Sequence, residues 1–516
     1  QAEKLPTPAS RRSVSLALSR LGDLERTDGN LAVARTHYEK ALSIVRELAD
    51  QLETPESRQD VASVVVKLGY LEQQEGNLAA ARQHYCEHLE IVRSLAVHLR
   101  TPESLQSIVV SLERLGDLER AEGNLPVARG HFEEYLALAR NQAEKLPTPA
   151  NHRSVSLALS RLGDLERIDG NLAKARSYYE DALVIARELA RKLDTPACRR
   201  GLAVALERMG NINRDMGRFT EARSFHEQQL VLVRAVADQV AVPLHRLDVT
   251  HALIRLGDVE LALGEANKAR QRYEEGLSTV REPARLVGIE SGAKCLMLPL
   301  ERLVDLELVE GRPENAREYV KELMSAADEM NGAGATPTGR RAKALACARV
   351  GDVATAEADL SEARRQYEAC LVLARDLSHQ MGTPAYGRDA VYACLRLGDL
   401  ACETGSLAEA DEFYRNALDL AESLVASNQL WKNRRDLAVV LERIALLCWR
   451  EGDADTARIH LAECSQVLEQ LPVEADAANS TRNAILGLTD RLNTLGRLAK
   501  VSAPLLAFAK PMTNDT

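Results

Sequence analysis

His84, Glu87 and His88 fall in the spacing His-x-x-Glu-His, so two imidazoles and a carboxylate stand within little more than one helical turn. Two histidines four residues apart can share a zinc ion, with the glutamate as general base. Related segments argue against that chemistry. His37-Tyr38-Glu39 and His131-Phe132-Glu133 occupy the same place, the aromatic residue is their common feature, and no third ligand is indicated. No metal is expected. The glycines of residues 332–339 lack the Gly-Lys-Ser/Thr ending of a phosphate loop. Eleven scattered histidines yield no Ser-His-Asp or Cys-His pairing, so neither catalysis nor a cofactor is expected. The nine cysteines are odd in number and form no Cys-x-x-Cys, which fits reduced thiols in a cytoplasmic protein rather than a disulfide framework.

The chain has 516 residues, a formal charge of −10 and only 4% aromatic residues. Acids and bases are interspersed, which does not suit a nucleic-acid partner needing concentrated positive charge. No run of about 18 apolar residues offers a membrane span. A chain this long exceeds one ordinary core, so repeats are the first thing to test.

Arg-Leu-Gly-Asp-Leu-Glu-Arg stands at 20–26, 114–120 and 161–167. A self-alignment at a shift of 47 carries it through the chain. One glycine series runs Gly22, Gly69, Gly116, Gly163, Gly210 and Gly257, breaks at Val304, resumes at Gly351 and Gly398, and ends at Ala445. A second runs from Gly29 to Gly311, meets Ala358, and continues at Gly405 and Gly452. An alanine series from Ala34 to Ala457 never fails. Each repeat reads as two helices, A and B. In the second, Thr54 caps the first helix, Pro55 suits its first position, and Val61, Val65, Leu68 and Leu71 form its apolar stripe. Gly76 ends it, and helix B runs from about Leu78 to about Arg100. A glycine inside helix A costs about 1 kcal/mol against alanine, so its recurrence needs a close approach of helix B. The helix B alanine is expected to fill that contact. The fold expected is all-α, an α-solenoid of about ten antiparallel helix pairs.

Leu21-Gly22, Ala34, Tyr38 and Ala41, with Leu68-Gly69, Ala81 and Tyr85 and with Leu162-Gly163, Ala175, Tyr179 and Ala182, resemble the tetratricopeptide repeat. The 47-residue period is longer than that family's 34 and is similar to its long, kinesin-light-chain-type relatives. The resemblance covers about residues 8–471. It implies a right-handed superhelix whose concave face, lined by helix A, binds a peptide or protein.

A basic residue precedes the Leu-Gly position in all ten repeats: Arg20, Lys67, Arg114, Arg161, Arg208, Arg255, Arg302, Arg349, Arg396 and Arg443. Asp follows three residues on at 23, 117, 164, 258, 305, 352 and 399, with Asn211 once. Such pairs face each other on a helix and can also bridge to the next repeat. The resemblance places these basic residues where the family's carboxylate clamp holds peptide C-termini. Asp stands where the clamp has asparagine, so a structural ladder and a ligand-reading one both stay open. The candidate partner-binding set is Arg20, Asp23, Lys67, Arg114, Asp117, Arg161, Asp164, Arg208, Arg255 and Asp258. On helix B, Arg35, Arg82, Arg176, Arg270 and Arg364 belong to a second series, often with Glu four residues later, which reads as helix-surface pairing.

Residues 1–9 repeat 142–150, and 13–26 repeat 154–167, an offset of three periods. Residues 1–7 therefore read as the tail of an upstream repeat, and the chain as a piece of a longer protein. Pro283, Gly288, Gly292 and Pro299 are expected to interrupt helix, with a longer loop at 331–339. Residues 472–500 suit a capping helix, and 501–516 a frayed tail. The function expected is a non-enzymatic protein-interaction scaffold. The alternative is the sensing arm of a larger signalling enzyme of the kind found in bacteria, and self-association of the array is a third possibility.

Overall fold

The structure, a computed structural model, describes residues 7–471 apart from 28, 100–101, 241, 287–288, 333–335, 383 and 428–430. The expected upstream tail, apart from Thr7, the capping helix and the C-terminal tail lie outside the described residues. Those described form twenty α-helices and no strand. Helices of type A are α1 (Pro8–Thr27), α3 (Pro55–Glu75), α5 (Pro102–Glu122), α7 (Pro149–Asp169), α9 (Pro196–Asp215), α11 (Pro243–Ala262), α13 (Ile289–Val309), α15 (Pro337–Ala356), α17 (Pro384–Glu403) and α19 (Trp431–Glu451). Those of type B are α2 (Leu31–Leu52), α4 (Leu78–Leu99), α6 (Leu125–Lys145), α8 (Leu172–Leu193), α10 (Phe219–Gln239), α12 (Ala266–Leu286), α14 (Pro313–Gly332), α16 (Leu360–Met381), α18 (Leu407–Ser427) and α20 (Ala454–Glu469). The chain divides into two compact units, residues 1–165 and 166–516, each a stack of helical hairpins.

Local chemistry sets the hairpins. Thr54, Thr195 and Thr336 accept through their hydroxyls from the backbone N–H three residues on, at 3.2, 3.3 and 3.1 Å, and proline follows each at the first helical position. At the A–B turn, Gly76 adopts φ 84°, and the N–H of Asn77 closes onto the carbonyl of Glu72 at 2.8 Å. Ala358 holds the same left-handed conformation, φ 61°, with a Cβ that opposes it. Ala358→Gly should therefore raise the urea midpoint, by a few tenths to about 1 kcal/mol of stability once the looser unfolded chain is counted. A lowered midpoint would show that the turn carries no strain.

The helix A glycine does meet a close approach, though not by alanine. A Cβ on Gly69, Gly257 or Gly351 would stand 2.5 Å from Cε1 of Tyr85, Tyr273 or Tyr367, the aromatic sixteen residues later. The ring occupies the space a side chain at the glycine would need, while the series alanines are fully buried in the core. The two repeats that lack the glycine also lack the ring. Val304 is followed by Val320 and Ala445 by Leu461, all at most 5% exposed.

Of the expected interruptions, Pro283, Gly292 and Pro299 do not break a helix, and Gly288 lies outside the described residues. α12 contains Pro283, and α13 contains Gly292 and Pro299. Proline removes one hydrogen bond per site, and the neighbouring helices hold the rest of each helix in place; the pairs α12/α13 and α13/α14 pack along their length. The longer loop at 331–339 is also shorter than expected. α14 reaches Gly332 and α15 restarts at Pro337, because Thr336 caps it.

Candidate functional site

The helix A ladder is built between repeats more than within them. In the first unit, Lys67 Nζ stands 2.7 Å from Asp23 and 2.8 Å from the Ser19 hydroxyl. Arg161 donates to Glu113 at 2.6 Å and lies 3.4 Å from Asp117. Arg114 finds Tyr70 where other repeats carry Asp, and its guanidinium lies 5.0 Å from the ring centroid. Arg20 is exposed, with no ion partner among the described residues. Asp164 belongs to the first unit and Arg208 to the second. In the second unit Asp258 meets Arg302 at 2.9 Å, Asp305 meets Arg349 at 3.0 Å, Asp352 meets Arg396 at 3.3 Å, and Asp399 meets Arg443 at 3.1 Å. The spacing within one helix is looser at Arg255–Asp258 and Arg302–Asp305, both 4.0 Å, and close at Arg349–Asp352, 2.9 Å.

Four of the aspartates also accept from the tyrosine of their own helix B, while the repeats of Asp117 and Asp305 have Phe132 and Val320 at that position. Tyr38, Tyr273, Tyr367 and Tyr414 donate to Asp23, Asp258, Asp352 and Asp399 at 2.8–3.0 Å. One carboxylate thus joins helix A, helix B and the next helix A. The tyrosine that fills the glycine notch is the same residue that reaches the ladder, so packing and charge are coupled in these four repeats.

The helix B arginines also bridge forward, rather than chiefly pairing along their own surface. Arg35, Arg82 and Arg270 reach Glu72, Glu119 and Glu307 of the next helix A at 2.5, 2.7 and 2.8 Å. Pairing four residues along helix B is present at Arg176–Glu180, 2.9 Å, and Arg364–Glu368, 3.0 Å, and is looser at Arg35–Glu39, 3.8 Å. The glutamates of the next repeat win because they are buried, where an unpaired carboxylate is costly. Glu72 and Glu119 are 5% exposed and Glu307 is 2% exposed.

The fifth repeat departs from this scheme at two coupled positions. His226 replaces the tyrosine and Asn211 the aspartate. The His226 ring fills the Gly210 notch fully buried, its Nε2 has no partner among the described residues, and neither has Asn211 Oδ1. Burial pushes the His226 pKa down to about 4. The unfolded chain takes up a proton near pH 6.5 that the folded ring refuses, so stability is full above that pH and falls as pH drops towards 4. His226→Tyr would supply a hydroxyl donor for Asn211. It should raise stability at pH 7 and remove roughly 2 kcal/mol of the loss between pH 7 and pH 5, as read by thermal melts at both values. An unchanged pH dependence would place the acid-sensitive group elsewhere. His88 is held down to about 4 in the same way, with Ser111 Oγ 2.6 Å from its Nδ1, and would retain its own share. Its motif partner His84 lies instead near Glu87, at 4.0 Å, so the two histidines have different neighbours.

On the helix A surface of the second unit, α15, α17 and α19 enclose a pocket of about 330 Å³. Every lining residue but Cys370 comes from a helix A. Arg341, Arg388, Arg396, Lys432, Arg435 and Arg443 line it against Asp389, Asp399 and Asp436, with Leu345, Val391, Leu395 and Val439 as apolar wall. Arg396 and Arg443 belong to the ladder series. The others escaped the sequence reading, although Arg388–Asp436 and Arg341–Asp389 repeat a spacing of 48 also seen at Arg12–Asp60 and Arg200–Asp248.

Two family models described as tetratricopeptide repeat match residues 154–214 and 391–424. The chain carries tetratricopeptide repeats. The second match spans 34 residues and starts at Val391, so the additional residues of the 47-residue period lie outside it and lengthen the tetratricopeptide hairpin. No curated protein matches the sequence. Among solved structures, the chain is similar to BtubC (BKLC) from P. vanneervenii at 20% identity, covering 50% of this chain and 92% of that one, with a TM-score of 0.39. A Rap protein complexed with Competence and Sporulation Factor is 13% identical, covering 83% and 100%, with a TM-score of 0.42. The STAND protein PH0952 with a tetratricopeptide repeat sensor, from Pyrococcus horikoshii, is 11% identical, covering 80% and 54%, with a TM-score of 0.42.

Proposed function

We propose that this tetratricopeptide-repeat chain is a non-enzymatic scaffold that holds a peptide or protein segment on its helix A surface. The observation that carries this reading is the 330 Å³ pocket, which three successive A helices line with charged, aromatic and apolar side chains. Val372, on helix B, is solvent-facing instead, 61% exposed. Within each unit separately the ladder residues, Arg20, Asp23, Lys67, Arg114, Asp117, Arg161 and Asp164 in the first and Arg208, Arg255 and Asp258 in the second, are the further candidate contacts on helix A. A regulatory arm of a larger signalling enzyme would use the same surface, and the same test reads its ligand.

The test places a photo-crosslinking amino acid at Leu395, on the pocket wall, or at Val372, on helix B. Irradiation in a native lysate should give discrete adducts from position 395 and none from 372. Adducts from 372 alone would move the binding surface to the B helices and overturn the reading.

A further inference from the structure

Lys432 is a cation that the repeat architecture does not require. Equivalent positions in other repeats hold Ala385, Thr338, Ala197, Ala150 and Glu56. The neighbouring charges are accounted for by bracing. Arg341 pairs with Asp389 at 2.7 Å, while Arg388 and Arg435 share Asp436 at 2.5 and 3.0 Å. Lys432 has no ion pair among the described residues; it lies 5.8 Å from the Trp431 ring centroid. The Trp431 indole N–H, on a side chain 8% exposed, also lacks an acceptor among the described residues. Trp431 takes the place that Pro384 holds one repeat earlier, so this dipeptide departs from the pattern twice.

The surroundings define what would satisfy it. The lining carries six cations and three carboxylates, an excess of three positive charges. Burial, with Arg167 and Arg388 nearby, pushes the Lys432 ammonium down to about 8, against the attraction of Asp215 of α9. A ligand carboxylate at the ammonium would relieve that opposition. A phosphate dianion fits less well, since Asp389, Asp399 and Asp436 stand in the same wall, and it would leave Leu395 and Val439 uncovered. Six of the nine charged lining residues lie before Val391 or its counterparts Ala344 and Ala438, outside the 34-residue motif.

We infer, resting on the scaffold reading above, that this pocket takes an extended peptide whose acidic side chain pairs with Lys432 while an adjacent apolar side chain lies on Leu395 and Val439. The pocket reads internal acidic residues and needs no peptide C-terminus.

The experiment uses the full chain and a labelled octapeptide of alternating glutamate and leucine, acetylated and amidated so that its only charges are side chains. Fluorescence polarisation should show saturable binding, at least tenfold weaker for the glutamine–leucine analogue. Lys432→Gln should weaken the glutamate peptide at least tenfold, leave the glutamine peptide unaffected, and leave the melting curve unchanged. Equal binding of both peptides, or indifference to Lys432→Gln, would overturn the inference and leave the scaffold reading standing. Displacement of the peptide by equimolar inorganic phosphate would overturn it in favour of a simple anion site. Binding of neither peptide would overturn it too, and the adducts at position 395 would then decide the scaffold reading separately.

Discussion

Gly351→Val is expected to lower stability by about 3 kcal/mol, the upper range for overpacking a filled core. The Cβ alone would stand 2.5 Å from the Tyr367 ring, and the ring cannot retreat, because it is 2% exposed and its hydroxyl is tied to Asp352 at 2.9 Å. The chain itself contains the compensated version, Val304 against Val320. Adding Tyr367→Val to Gly351→Val should therefore cost less than the two single changes summed, with a coupling of at least about 1 kcal/mol. Chemical denaturation of the four proteins completes the cycle. Strict additivity would mean that glycine and ring do not share one space.

Asp352→Ala should cost about 3–5 kcal/mol, the range for breaking a buried ion pair. This carboxylate is 9% exposed and accepts from Arg349, Tyr367 and Tyr392, each at 2.9 Å, with Arg396 at 3.3 Å. Burial works against its ionisation, but Arg396 and Arg349 outweigh that and keep its pKa below the ordinary carboxylate value. Alanine would leave two guanidinium groups facing each other and two hydroxyls without their acceptor. Asp352→Asn should recover part of the loss, since the amide oxygen still accepts from the tyrosines. A cost under about 1 kcal/mol for alanine would mean the network behaves as a solvent-screened surface pair.

Period and capping were legible in the sequence because both are local. Thr-Pro, the helix-ending glycine and the apolar stripe each act within one helix, so Thr54, Gly76 and Leu68 declare themselves without neighbours. The partner of the helix A glycine was not legible, because the alanine recurs without a break while the aromatic position varies, and only distance shows which of them meets the glycine. The ladder was half legible. Its members follow from spacing, but whether Asp258 turns to Arg255 or to Arg302 depends on how one repeat stacks on the next. Pro283 and Pro299 misled for a related reason, since packing against neighbouring helices carries a helix through residues that would end it alone. The pocket had one faint signal, a lysine at 432 where other repeats place alanine, serine, threonine, leucine or glutamate. Its meaning emerged only when Asp389 and Asp436 proved to be engaged elsewhere.

Amide hydrogen exchange of the full chain, with and without the acetylated glutamate–leucine octapeptide at saturation, tests the helix A surface most directly as the place where a partner is held. Protection is expected along α15, α17 and α19, strongest around Leu395 and the first turns of α19, with exchange in α16 and α18 unchanged. Protection confined to the B helices, with the A helices exchanging as before, would contradict it.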